Sequence, residues 1–102
     1  PYSSVDERVS TMSNTIPNFD CMSQDDCMTF WSKYHRASRK DAAELIGDRR
    51  TGYTTIAATL ANYACNRAVA AKCRLEGDIN GAVCYEYAMD LCYNELPADL
   101  RW

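Results

Sequence analysis

Histidine is almost missing from this sequence: His35 is the only one. Nucleophilic catalysis needs a base that is itself oriented by a third group. Ser32, three residues upstream of His35, with Tyr34 and Arg36 as its neighbours, supplies no such set. A helical hydrolase of the phospholipase kind would need a His-Asp pair and a glycine-rich calcium loop, and neither is present. With one histidine and an even cysteine count, a zinc site is not expected either. Glycine is scarce as well, with four in 102 residues and none grouped into a phosphate-cradling loop. The stretch Glu76-Gly77-Asp78-Ile79-Asn80-Gly81 aligns Gly81 with the central glycine of a calcium-binding loop. The twelfth position is then Tyr87, where a bidentate glutamate is required. A turn rich in Gly, Asp and Asn is the simpler reading. These shortages predict a chain that is not an enzyme and holds no metal or cofactor.

No apolar run approaches the roughly 18 residues of a membrane span, so membrane insertion is not expected. Nowhere does hydropathy alternate as in a strand. Basic excess is absent too: the formal charge is −3, which argues against a nucleic-acid partner. There is no Asn-x-Ser/Thr acceptor for N-glycosylation. The sequence opens at Pro1 without an initiator methionine and reads as a processed, mature form whose leader has been removed.

Cysteine, by contrast, is abundant. Six in 102 residues predict an oxidising, extracellular setting, and one domain over residues 1–102 whose modest core is supplemented by disulfides. Cys65 and Cys73 are spaced by eight, as are Cys84 and Cys92, and the two pairs flank the turn at 76–81. The position numbers of Cys73 and Cys84 add to the same total as those of Cys65 and Cys92. An antiparallel helical hairpin folded about residues 78–79 would therefore set both pairs at matched heights, about 12 Å apart along the axis at 1.5 Å per residue. Cys65–Cys92 and Cys73–Cys84 are the bonds this symmetry favours, leaving Cys21–Cys27 as a covalent staple at the start of a helix.

The periodicities place the remaining elements. Ser4-Val5-Asp6-Glu7 is a capping box ahead of Val5, Val9, Met12 and Ile16, predicting a helix over about Val5–Asn14 that ends before Pro17. Ser23 caps a second helix, helped by Asp25 and Asp26 at its positive end; Cys27, Phe30, Trp31 and Tyr34 form its apolar face. Asp41–Ile46 continues or restarts as a short helix closed by Gly47. Thr54–Arg74 is the longest helix, with seven alanines between Ala57 and Ala71 that admit close neighbours. Ala82–Asn94 is the last, with Val83, Tyr87 and Leu91 as one apolar row and Cys84, Ala88 and Cys92 beside it; Pro97 stops it. Trp102 is expected to fold back onto the body. The fold class is all-α: a small disulfide-stapled bundle of three to five helices built around a C-terminal antiparallel hairpin.

Charge is segregated. Residues 33–50 carry Lys33, Arg36, Arg39, Lys40, Arg49 and Arg50 and net +3, whereas residues 76–102 net −5. Lys33, Arg36 and Lys40 stand at i, i+3 and i+7 and are expected to share one helix face, with Arg49 and Arg50 on the connection that follows. These five are the candidate receptor contacts. Complementary surfaces of this kind also suit self-association.

The run Gly81-Ala-Val-Cys84-Tyr85-Glu-Tyr87-Ala-Met-Asp-Leu-Cys92, followed by Pro97, resembles the last helix of the mating pheromones of Euplotes ciliates, over about residues 62–97. The chain would stand with the longer members of that family. The resemblance implies a secreted, water-borne signal that binds a cell-surface receptor protein and induces cell pairing. It also implies a different disulfide order, Cys21–Cys73, Cys27–Cys92 and Cys65–Cys84, which conflicts with the hairpin symmetry. A second resemblance, to the twin-cysteine proteins of the mitochondrial intermembrane space, rests on the paired cysteine spacing and implies a structural or assembly role.

Overall fold

The computed structural model describes residues 16–102, which contain all six cysteines. The helix expected over Val5–Asn14 lies outside the described residues. Four α-helices follow: α1 (Gln24–Tyr34), α2 (Arg39–Ile46), α3 (Tyr53–Leu75) and α4 (Ile79–Glu95), with 3-10 turns at Phe19–Cys21 and Ala98–Leu100. Among the described residues there is no strand.

Local chemistry sets the boundaries. The Ser23 hydroxyl accepts from the Asp26 amide and starts α1, and the Ser38 hydroxyl accepts from the Asp41 amide and starts α2. In each case one otherwise unpaired helix-terminal amide is satisfied. At the end of α3, Gly77 takes φ +81°. There the Asp78 amide reaches back to the Cys73 carbonyl at 2.8 Å and the Gly77 amide to Arg74 at 3.2 Å. This is the left-handed cap that glycine favours, and it reverses the chain in a few residues. The Asp78 side chain accepts from the Gly81 amide at 2.9 Å, so α4 begins at Ile79, three residues before the expected Ala82. A Cβ on Gly81 would fall on that Asp78 carboxylate. The turn is therefore shorter than the sequence implied, and Asn80-Gly81 belongs to the helix.

α3 is the axis of the molecule and packs against each of the other three helices. Its alanines at 57, 61, 64, 68 and 70 are buried, and these small residues allow the close approach. The core is built from Phe19, Cys27, Phe30, Leu45, Ile46, Leu60 and Tyr63 with Leu96 and Leu100 from the tail. Phe19 is its hub: fully buried, with ring centroids 5.2 Å from Phe30, 5.3 Å from Tyr63 and 5.3 Å from Trp102. Trp102 does fold back. Its carbonyl accepts from the Tyr93 hydroxyl, and Arg101 ties the tail down by donating to the Leu96 and Asn94 carbonyls at 3.1 and 2.8 Å.

The α3–α4 hairpin is antiparallel, as expected. Arg74 and Glu86 form a two-pronged ion pair at 2.5 and 2.7 Å, and Asn66 donates to the Cys92 sulfur at 3.8 Å. By the Asn66–Cys92 register, the residue level with Cys65 is Tyr93, one position from Cys92. The Asn66–Cys92 contact thus agrees with the symmetry of the cysteine spacing to within one residue.

Candidate functional site

The six cysteines are all free thiols in the structure, and no two are bonded. Cys65 and Cys92, both half-buried, line the same open groove between α3 and α4. The other two expected pairs are divided between interior and solvent. Cys73 is buried while Cys84 is exposed, and Cys27 is buried while Cys21 is exposed and receives a contact from Asn18 at 3.4 Å. Burial pushes the thiols of Cys27, Cys65, Cys73 and Cys92 above the ordinary cysteine range. At Cys73 the carboxylates of Asp78 and Glu76 push the same way, and at Cys27 the Arg67 guanidinium partly opposes it. Raised thiols are poor nucleophiles at neutral pH, because the thiolate is the attacking form.

His35 is the C-terminal cap of α1. Its ring stacks on Trp31 at 4.0 Å with an interplanar angle of 10°, and Nδ1 donates to the Trp31 carbonyl at 2.8 Å. The side chain is thereby occupied in closing the helix. Among the described residues no group of three or more His, Cys, Asp and Glu is placed to hold a metal ion.

The basic segment is broken rather than continuous. Lys33 lies in the last turn of α1, Arg36 in the connection after His35, and Lys40 in the first turn of α2. The expectation of a single helix face is corrected on this point: the chain leaves the α1 helix after Tyr34 and restarts at the Ser38 cap. All three side chains remain exposed, as does Arg49. Arg50 is engaged, forming a two-pronged pair with Asp99 at 3.2 and 2.5 Å that pins the 48–52 connection to the C-terminal turn. Sequence reasoning did not anticipate that pair, since its members are far apart in the chain.

A second groove, of about 240 Å3, runs between α1, α3 and α4. Alanines 68, 70 and 71 floor it, Met22 and Met89 wall it, and Arg67 and Arg74 edge it. Both arginines already face acids, Arg67 at 3.4 Å from Asp20 and Arg74 at 2.5 Å from Glu86. The groove offers adaptable apolar surface and no paired nucleophile and base.

The most unexpected placement concerns α4. Its inward side is Ala82, Glu86, Met89 and Tyr93, and Ala82 is its only fully buried residue. Ile79, Val83, Tyr87 and Leu91 point into solvent. Periodicity had marked the last three as a row, but it does not say which way a row faces.

Comparison of the chain with protein-family models, curated proteins and solved structures gave no match in any of the three.

Proposed function

We propose that this chain is a secreted, water-borne signalling protein of the mating-pheromone kind, which acts by binding a cell-surface receptor and carries out no chemistry of its own. The observation that carries the reading is the placement of the stretch 81–92. The residues that resemble the pheromone pattern, including Cys84, Tyr85 and Tyr87, lie on the outside of the body and are exposed. A signature displayed at the surface of a small helical scaffold suits recognition better than core packing. The exposed cations Lys33, Arg36, Lys40 and Arg49 supply a second surface that would steer an acidic receptor, with Arg50 holding that connection in place.

In an oxidising medium the scaffold would be stapled, and the shared groove of Cys65 and Cys92 favours these two as the first bond. Cys73–Cys84 and Cys21–Cys27 would complete the symmetric set, each joining a buried cysteine to an exposed one. Each bond contributes about 2–4 kcal/mol, a large share of the roughly 5–15 kcal/mol that holds a domain of this size.

Labelled protein added to recipient ciliate cells tests the reading. Saturable surface binding followed by pairing is expected, with loss of binding when Lys33, Arg36 and Lys40 are all reversed to Glu in a variant of unchanged helicity. Absence of saturable binding, or full pairing by the reversed variant, would count against the receptor role or its placement. The placement of Cys65 and Cys92 across the hairpin also favours a second reading, an assembly factor of the mitochondrial intermembrane space. That reading predicts retention in mitochondria instead of release.

A further inference from the structure

We propose that the outer face of α4 is a docking surface for a basic amphipathic helical segment of another protein. Ile79, Val83, Tyr87 and Leu91 recur every fourth residue and are 53%, 53%, 64% and 48% exposed. Leu75, at the end of α3, is 79% exposed as well. Six of the eight large hydrophobic side chains left in solvent among the described residues fall in residues 75–91. Scattered apolar residues on a surface need no explanation, whereas a contiguous row marks an interaction site. A row with i, i+4 spacing presents one ridge, which fits between the side chains of an apposed helix.

Beside the row lies an open groove of about 410 Å3 between α3 and α4. Its lining includes Cys65, Asn66, Ala88, Leu91 and Cys92, with Glu95 on its edge. Leu91 belongs to both row and groove. A partner's large apolar side chain can therefore enter at Leu91 while a cation beside it reaches Glu95, the pairing of a buried anchor with a polar rim that concentrates binding energy.

Charge decides the partner. α4 carries Glu86, Asp90 and Glu95 and no lysine or arginine, and residues 76–102 net −5. Glu86 is neutralised by Arg74, but Asp90, Glu95 and Glu76 form no ion pair among the described residues. Laying a second copy's α4 on this face would set acids against acids. The chain's own basic residues, Lys33, Arg36 and Lys40, bring no apolar row to match. A segment with an apolar stripe flanked on both sides by Lys or Arg satisfies the row and the rim together. This shares the exposed face of residues 81–92 with the receptor reading and goes beyond it by naming the chemistry of what docks there. Its test uses a peptide and no cells, whereas the receptor test reverses Lys33, Arg36 and Lys40, so either can fail alone.

The probe is a synthetic helical peptide with Leu at i, i+4, i+8 and i+11 and Lys on both flanks, titrated with the whole chain by fluorescence anisotropy. Two control peptides accompany it, one with Glu for every Lys and one with the same composition but a scrambled stripe. Saturable binding of the Leu/Lys peptide is expected, at least about tenfold weaker for either control, and weakening several-fold as salt rises from about 0.05 to 0.5 M. Val83→Asp and Tyr87→Asp, both at exposed positions, should each lower affinity at least about tenfold with unchanged circular dichroism. The proposal is overturned if the Leu/Lys peptide does not bind up to about 1 mM, if the scrambled peptide binds equally, or if neither variant weakens binding. It is also overturned if sedimentation shows a dimer of the chain that Val83→Asp dissociates, since the face would then belong to a second copy.

Discussion

Replacing Phe19 with alanine removes the side chain on which the described core converges. Phe19 is wholly buried and meets Phe30 edge-on at 88°, Tyr63 at 58° and Trp102 at 44°. Truncating a buried phenylalanine costs about 3–5 kcal/mol, because the transfer free energy is lost and a cavity remains. Each aromatic pair adds about 0.5–1.5 kcal/mol beyond area, which places this site at the upper end of that range. The neighbours cannot easily collapse into the space: Tyr63 is fixed on α3, and Phe30 on α1 faces Phe19 from the other side. Against a total of roughly 5–15 kcal/mol, the variant should sit near the edge of stability, with a midpoint lowered by about 20–40 °C in a domain of this size. Thermal and urea unfolding followed by circular dichroism measures the change. Trp102 provides an independent probe, since its indole packs on Phe19, Tyr63 and Tyr93 and its emission should shift to the red. A loss below about 1 kcal/mol, in the range of an ordinary surface substitution, would refute the view of Phe19 as the hub.

Three further outcomes follow from the local chemistry. Hydrogen bonding to Arg74 holds the Glu86 carboxyl below its usual range, and Arg50 does the same for Asp99. Both pairs therefore stabilise the fold fully above about pH 4.3, the ordinary glutamate value, and their contribution is lost as pH falls through the lower folded-state values. Arg74→Met should flatten the acid limb of a stability–pH profile, and an unchanged limb would contradict this account. In the reduced protein at pH 8, Cys21 and Cys84 should react with a thiol reagent well before Cys27, Cys65, Cys73 and Cys92, because only the first two are exposed. Equal rates for all six in the folded state would mean the burial pattern is wrong. Gly81→Ala, which ordinarily gains about 0.5–1 kcal/mol in a helix, should gain nothing here, because the new methyl group displaces the Asp78 cap. Asp78→Ala should cost about 1 kcal/mol, as read by urea unfolding, and a stabilised Gly81→Ala variant would argue against that cap.

The helices were legible where short-range chemistry fixes them. Ser23 with acids behind it, Gly47 after Ile46 and Pro97 after Glu95 each name a boundary by a mechanism that operates within one turn. The start of α4 was misplaced because Asn80-Gly81 carries turn chemistry; the Asp78 side chain overrides it by capping the Gly81 amide. Phe19 was not legible as a core residue, because nothing in a short non-helical segment announces that distant rings converge on it. The same holds for Arg50–Asp99, whose members meet only after the chain has reversed twice. The cysteine symmetry correctly indicated an antiparallel hairpin but could not report that Cys73 is buried while Cys84 is exposed. Sequence periodicity found the row of Val83, Tyr87 and Leu91, and only the packing of Ala82, Met89 and Tyr93 against α3 shows that the row faces outward.

The claim that this protein is a released signal is tested most directly by where it accumulates. Immunodetection should be carried out on cell-free medium, washed cells and purified mitochondria from one culture, and the medium then applied to recipient cells. The account predicts that most of the protein is in the medium and that depleting it with the antibody abolishes pairing. Protein confined to mitochondria, or medium that still induces pairing after depletion, would contradict it.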